Sequence, residues 1–480
     1  MKKFKPYFLL ALISLSACTD EILNKIDTNP NQVNDAPLKT ILPQVQVSYV
    51  TEVAGGGTAL NTYYLSELNT FVLGNSALEN VQGMGGQVWD QAYLALNDLA
   101  IVKQKALENN AFTYAGIADV LRALNLAALS DWFGDIPYSE ALRSDIISPK
   151  FDPSPGTYAE IQRILDEAIA NLEKNSGPLV PTNDDMFFGG NKAMWIKTAY
   201  AVKARMYNRL SNLDPTGSAN SALAAIAKSF SSDAENFTFS KFNNSNTNGN
   251  PFSSAQIIQP GSAVGNGIYN TMASFGDSGK ADDDPRAAIW FTKVNGQMLP
   301  APNGTASADF GEPRLDGAIY SKPEIFKHFA APMPLLTFVE LKFIQAEAYL
   351  RLNNPANAYT AYETAVSLAL AHAGDFNPAV KLSEEKINAY LALPKVSPGA
   401  GNLTLSDVIS QKYIYLYQYQ PLEAYNDLRR TAIIPITDPA GRPNRIPYPV
   451  SELTRNVNTP TDIDNISAFE PRTKIFWAKP

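Results

Sequence analysis

Apolar residues recur at helical spacing along most of this chain, and the helical segments come in pairs. Gln87–Asn109 and Tyr114–Asp131 form the first pair. Tyr158–Leu172 and Lys192–Leu210 form the second. Its first helix carries Ile161, Ile164, Leu165, Ala168 and Leu172 on one face, with Thr157 and Glu160 in position for a reciprocal cap. The third pair is Phe338–Leu350 with Ala356–Leu370. Thr337 and Glu340 open one helix, and Asn354 with Pro355 opens the other, since proline fits the first helical position. The fourth is Glu384–Leu393 with Leu405–Arg430. Thr404 and Asp407 cap that last segment, its stripe is Val408, Ile409, Tyr413, Leu416 and Tyr417, and Pro421 breaks it into two helices. Alternating strand patterns are scarce. Paired helices with short turns and alanine-rich facing sides predict a mostly α fold of about four tetratricopeptide-like hairpins.

Between Leu213 and Pro332 this pattern lapses. Gly, Asn, Ser and Pro dominate, and Asn243–Asn250 is almost pure loop chemistry. A long excursion inside a compact domain is usually functional or partly disordered. The organisation expected is therefore a helical scaffold over 38–213, a loop-rich lobe over 214–332, and a C-terminal scaffold with a Pro-rich tail over 333–480.

The first residues change the picture of where the chain works. A basic start precedes an apolar run from Tyr7 to Leu15, shorter than the roughly 20 residues needed to span a bilayer. Residues 1–17 read as a signal peptide. They end in Leu15-Ser16-Ala17-Cys18, which resembles a bacterial lipobox, and Cys18 is the only cysteine in the chain. Cys18 is the expected lipidation site, and 18–37 a tether rich in Asn, Asp and Pro. The acidic Asp20 and Glu21 resemble a signal for the outer face of the outer membrane. No later segment reads as a membrane span.

Composition removes several function classes. The formal charge is −8, and the leader holds three of the lysines and no acid, so the remainder is more acidic still. That argues against nucleic acid as a partner. One cysteine and two histidines leave no cysteine-based or His-rich metal site. There is no G-x-S-x-G, no P-loop and no dinucleotide fingerprint. Asp282-Asp283-Asp284 could attract calcium but lacks the EF-hand spacing, and a solvated acidic loop is the plainer reading. No cofactor and no catalytic group is expected.

The ordering of rarer residues is more specific. Gln411, Lys412, Ile414, Leu416, Glu423, Ala424, Asp427, Arg429 and Arg430 are followed by Arg445, Pro447, Tyr448, Pro449, Glu452 and Asn456. In this order and spacing they resemble the end of SusD/RagB-like proteins, nutrient-binding lipoproteins of bacterial outer membranes. Pro421 departs from that pattern, where the family has small or aromatic residues. Asp131-Trp132-Phe133-Gly134-Asp135-Ile136-Pro137-Tyr138, the helix with Trp195 and Arg205, Asp284-Pro285-Arg286, and the run from Pro334 to Tyr349 resemble further family signposts. The resemblance covers residues from about 85 to 458. It implies a helical scaffold with four such pairs, ligand recognition by the loop-rich lobe over 214–332, no catalysis, an oligosaccharide ligand, and delivery to a SusC-type TonB-dependent β-barrel transporter. An oligopeptide ligand is the alternative within binding; a surface glycan-degrading enzyme is the rival from another class.

Aromatic rings offer apolar faces for stacking on sugars. Trp89, Trp132, Trp195 and Trp477 read as scaffold. Trp290 alone falls in the loop-rich lobe, and Phe291, Tyr269, Phe275 and Tyr320 lie near it in sequence. These five are the first candidate ligand surface, unless Trp290 anchors a small core of its own. Asn61, Tyr63, Tyr64 and Asn75 form the second, in a region that the resemblance places near the binding face.

Overall fold

In the computed structural model the described residues are 36–71, 85–258, 262–301, 320–435, 443–460 and 474–478. Cys18 and Asn75 lie outside them. The described residues form sixteen α-helices and two small antiparallel strand pairs.

The first helix, α1 (Leu38–Ser48), runs through a π-turn into α2 (Gly57–Leu65) and strand β1 (Asn69–Phe71). Helices α3 (Gly86–Glu108), α4 (Phe112–Phe133) and α5 (Ser154–Glu173) then pack in sequence, each against the next. Helix α4 is buried on every face. It is long and apolar enough to cross a membrane, contrary to the expectation that no such segment follows the leader. Its all-round apolarity instead reflects a central position, with α3 on one side and α5 on the other. A Cβ at Gly116 would lie 2.4 Å from Leu172 Cγ, so glycine is what lets α4 and α5 approach.

Helix α5 begins three residues before its expected cap. Pro155 sits in its first turn, and the Asp135 carboxylate accepts from Ser154 N–H (2.7 Å) and Oγ–H (2.5 Å). The Thr157–Glu160 cap therefore does not form. Gly134, at φ +85°, turns the chain so that Asp135 can do this.

Helix α6 (Lys192–Arg209) pairs with α7 (Pro215–Ile226), a helix inside the stretch expected to be loop. Asp214 caps it, Pro215 opens it, and Ala219, Ala222 and Ala225 face inward. Strand β2 (Phe237–Phe239) follows, then α8 (Pro251–Ile258), β3 (Ser262–Val264), α9 (Asn266–Phe275) and the single turn α10 (Ala287–Trp290). β3 pairs with β1, Thr70 opposite Ala263. β4 (Met333–Leu336) pairs with β2, Phe237 opposite Leu336.

Helices α11 (Phe338–Arg351) and α12 (Pro355–Ala371) form the next hairpin, with α13 (Glu384–Leu391) packed on α12. Thr337 caps α11 by accepting from Glu340 N–H, but the Glu340 carboxylate turns inward to Arg205 and does not return the bond. Asn354 and Pro355 open α12 as expected. The Thr404–Asp407 box is complete at α14 (Leu405–Leu416), and Pro421 opens α15 (Pro421–Thr431). Short α16 (Val450–Arg455) closes the Pro-rich segment.

One apolar core runs through all of this, and Trp290, Phe291 and Phe275 belong to it together with the scaffold helices. The charged family residues lie inside it as a connected lattice. Arg205 grips Glu340 through two bonds (2.7 and 2.5 Å). Arg209 bridges Glu423 (2.7 Å) and Asp131 (3.2 Å), and Asp131 also accepts from Tyr158 Oη and Asn426 Nδ2. Arg430 joins Glu347 and Asp427, Lys412 pairs with Asp427 (2.8 Å), and Arg429 donates to the Asp131 carbonyl (2.7 Å). The lattice thus ties α4, α6, α11, α14 and α15 together.

Burial alone would raise the carboxyl pKa of Glu347, but the guanidinium groups of Arg351 and Arg430 outweigh it and hold it at about 2. Asp427 is likewise lowered: Lys412 and Arg430 overcome its burial. At Asp131 burial prevails over Arg209 and the value is raised.

Candidate functional site

The two sets of aromatic residues singled out in the sequence meet in space. Tyr63, on α2, lies edge-on to Tyr417 at 5.8 Å, and its hydroxyl donates to the Tyr417 carbonyl (3.0 Å). Trp290 stacks on the other side of Tyr417, with centroids 5.5 Å apart and planes 23° apart, while Phe291 meets that ring edge-on at 5.1 Å. Phe252 and Phe326 close the cluster around Tyr63.

This arrangement corrects the sequence reading. Trp290 is 0% exposed, and its indole N–H donates to the Ala373 carbonyl (2.7 Å). The DPR arginine, Arg286, sits over its ring at 5.8 Å. Phe291, Phe275, Tyr63 and Tyr64 are buried as well. Rings without an exposed face offer no platform to a ligand. Trp290 does anchor a core, but the core is that of the whole molecule. Burial pushes the Tyr63 and Tyr417 phenols well above their usual range, so they serve as neutral donors.

Two of the aromatic candidates remain open. Tyr320 is half-buried against Ala263 of β3 and Ala301. Tyr269 is half-buried on α9, one turn after β3 ends. Beside Tyr320 the backbone knits a small platform. Val264 N–H donates to the Ser321 carbonyl (2.9 Å), Ala301 N–H to the Val264 carbonyl (2.8 Å), and Ser321 N–H to the Leu299 carbonyl (2.8 Å). Tyr64 pins it from below through a hydroxyl pair with Ser262 (3.0 Å). Asn61 lies on α2 beside it in sequence; its side chain is outside the described residues. β1, β3 and the 299–301 and 320–322 segments converge here through main-chain hydrogen bonds, with Tyr320 half-buried beside Ala263 and Ala301.

The acidic triplet is spoken for. Asp284 is chelated by Arg286 (2.9 and 2.6 Å), Asp282 pairs with Lys293 (2.8 Å), and Asp283 accepts from Ser278 N–H and Oγ–H (2.7 Å each). Among the described residues no group of three His, Cys, Asp or Glu side chains is placed to hold a metal ion.

Stacked helical hairpins around one apolar core define a helical-repeat scaffold. The chain belongs to the SusD-like family: a family model described as "Starch-binding associating with outer membrane" matches residues 30–449. A SusD/RagB family protein from Bacteroides thetaiotaomicron superposes with a TM-score of 0.81 at 25% identity, covering 92% of this chain and 99% of that one. A chitin-binding SusD homolog from Flavobacterium johnsoniae superposes at 0.71 and 18% identity, over 92% and 98%. A further chitin-binding protein gives 0.73 and 20%, over 92% and 99%. No match is found among curated proteins.

Proposed function

We propose that this chain is a surface-exposed outer-membrane lipoprotein, anchored through Cys18, that captures an oligosaccharide and passes it to a TonB-dependent β-barrel transporter. The observation that carries the reading is the family match over residues 30–449 on a scaffold built around the family's own charged residues. The acidic chain suits a neutral or weakly charged ligand. On this reading Tyr320 and Tyr269 supply stacking faces at the platform, and amides and main-chain groups fix orientation. The chain binds its ligand without converting it.

A glycan array and a peptide array on the protein lacking residues 1–18 test this. Binding of an oligosaccharide that is recovered intact is the expected result. Binding confined to peptides would move the protein to the oligopeptide-binding branch, and turnover of the glycan would make it an enzyme. Lipid anchoring is read separately. Cys18→Ala, expressed in a host with lipoprotein processing, should leave the membrane fraction and take up no labelled acyl chain.

A further inference from the structure

Eleven large apolar side chains are exposed among the described residues, and they are not scattered. Leu94 lies on α3, Leu142 and Ile147 on the loop that follows Pro137, and Val450, Leu453 and Val457 on α16 and just beyond it. Six of the eleven thus fall on three segments that touch one another. Tyr93 donates to the Pro137 carbonyl (2.6 Å), Asn456 to the Pro149 carbonyl (2.9 Å), and Asn458 to the Ser148 carbonyl (2.8 Å). Ile147 is 94% exposed and Val457 87%. Where the three segments meet they enclose a groove of about 720 Å³ floored by Trp89 and Tyr93, with Asp90 and Glu452 on its walls. Apolar residues concentrated on one face mark an interaction surface, since single exposed ones are ordinary.

The point at which the described chain begins bears on which way this face looks. The chain enters the described structure at Ala36, whose carbonyl accepts from Lys105 Nζ (2.8 Å). Leu94 and Ile101 are a heptad apart on α3 and Lys105 is one turn further on, so all three share a side of that helix. The described chain therefore begins, at Ala36, on the same side of α3 that carries the exposed leucine. We propose, resting on the transporter reading above, that this face docks on the extracellular rim of the barrel, through a protein segment bearing apolar side chains and a basic residue.

The charge and shape of the face favour a protein segment over lipid. Its one lining cation, Arg143, is held by Asp145 (2.6 Å), which leaves Asp90 and Glu452 to set the sign. An acidic concavity is repelled by an anionic leaflet, whereas it accepts a protruding cationic loop.

The test is affinity isolation of the tagged, lipidated protein from gently solubilised outer membrane. Three forms are compared: wild type, a face variant (Leu94→Glu with Leu453→Glu), and a control variant (Leu179→Glu with Val180→Glu) that alters exposed apolar residues elsewhere. Wild type and control should recover a TonB-dependent transporter, and the face variant at least about tenfold less. All three should melt alike, because exposed positions tolerate such changes. Equal recovery by the face variant overturns the docking site and leaves the transporter reading standing. Failure of wild type to recover any transporter overturns both. If the soluble Cys18→Ala protein floats with anionic phospholipid vesicles, and Leu94→Glu with Leu453→Glu abolishes this while transporter recovery is unchanged, the face belongs to lipid and the docking proposal is wrong.

Discussion

The buried lattice around Arg209 and the platform around Tyr320 are built on opposite principles. In the lattice, charge is desolvated and met by carboxylates, Arg205 with Glu340, Arg209 with Asp131 and Glu423, Arg430 with Glu347 and Asp427, while Arg429 donates to the Asp131 carbonyl. On the platform three main-chain hydrogen bonds join the segments, and Tyr320 and Tyr269 are half-buried. A lattice of this kind tolerates little change, because removing one partner strands another charge in the core. A platform held by backbone can exchange side chains and keep its shape. The residues that carry the family resemblance are thus scaffold, and on the proposed reading recognition falls to groups the scaffold holds but does not specify.

Substitutions can break this contrast, and they rank by their effect on stability. Arg430→Ala should cost the most, about 3–5 kcal/mol, since it leaves Glu347 and Asp427 short of their shared counter-ion. Urea unfolding measures it; a loss within about 0.5 kcal/mol would show the lattice to be dispensable. Trp290→Ala follows, at about 3 kcal/mol, because it removes a fully buried indole that fills the space between Tyr417 and Arg286. Normal stability with lost ligand binding would restore Trp290 as a contact residue.

Acid should act on the lattice in a graded way. Glu347 and Asp427 have lowered values in the folded chain, so their stabilisation is present above the unfolded value and is lost as pH falls through the folded one. For Glu347 the window runs from 4.5 down to about 2. Asp131, raised by burial, works in the opposite direction and blunts the loss. Calorimetry from about pH 7 to about pH 3 should show a flat melting temperature that declines once pH passes below the ordinary carboxylate range. A melting temperature that rises on acidification would mean that the buried carboxylates with raised values dominate.

Much of the scaffold could be read from local chemistry. Thr404 with Asp407, Asn354 with Pro355, and Pro421 announce helix starts through groups within four residues of each other, and all three hold. The misses share a cause: the deciding partner is distant in sequence. Asp135 caps α5 from 19 residues away and makes the Thr157 cap redundant. Glu340 is taken from its own helix start by Arg205. Helix α7 is small and polar enough to read as loop, and only packing on α6 and α11 reveals its alanines as a contact face. Trp290 was assigned by the loops around it, whereas its surroundings come from Tyr417 and Ala373. The groove on α3 did leave a trace, in Leu94 exposed beside half-buried Tyr93 and buried Trp89, but one helix does not show what lies across from it.

The most direct test sets binding against stability at one residue. Tyr320→Ala and wild type are titrated with the best oligosaccharide from the array, and both are melted. A platform that reads the ligand through an open ring predicts affinity lower by about 2 kcal/mol at an unchanged melting temperature. Unchanged affinity with a lowered melting temperature would contradict it, and would place Tyr320 with Trp290 among the residues that only hold the fold.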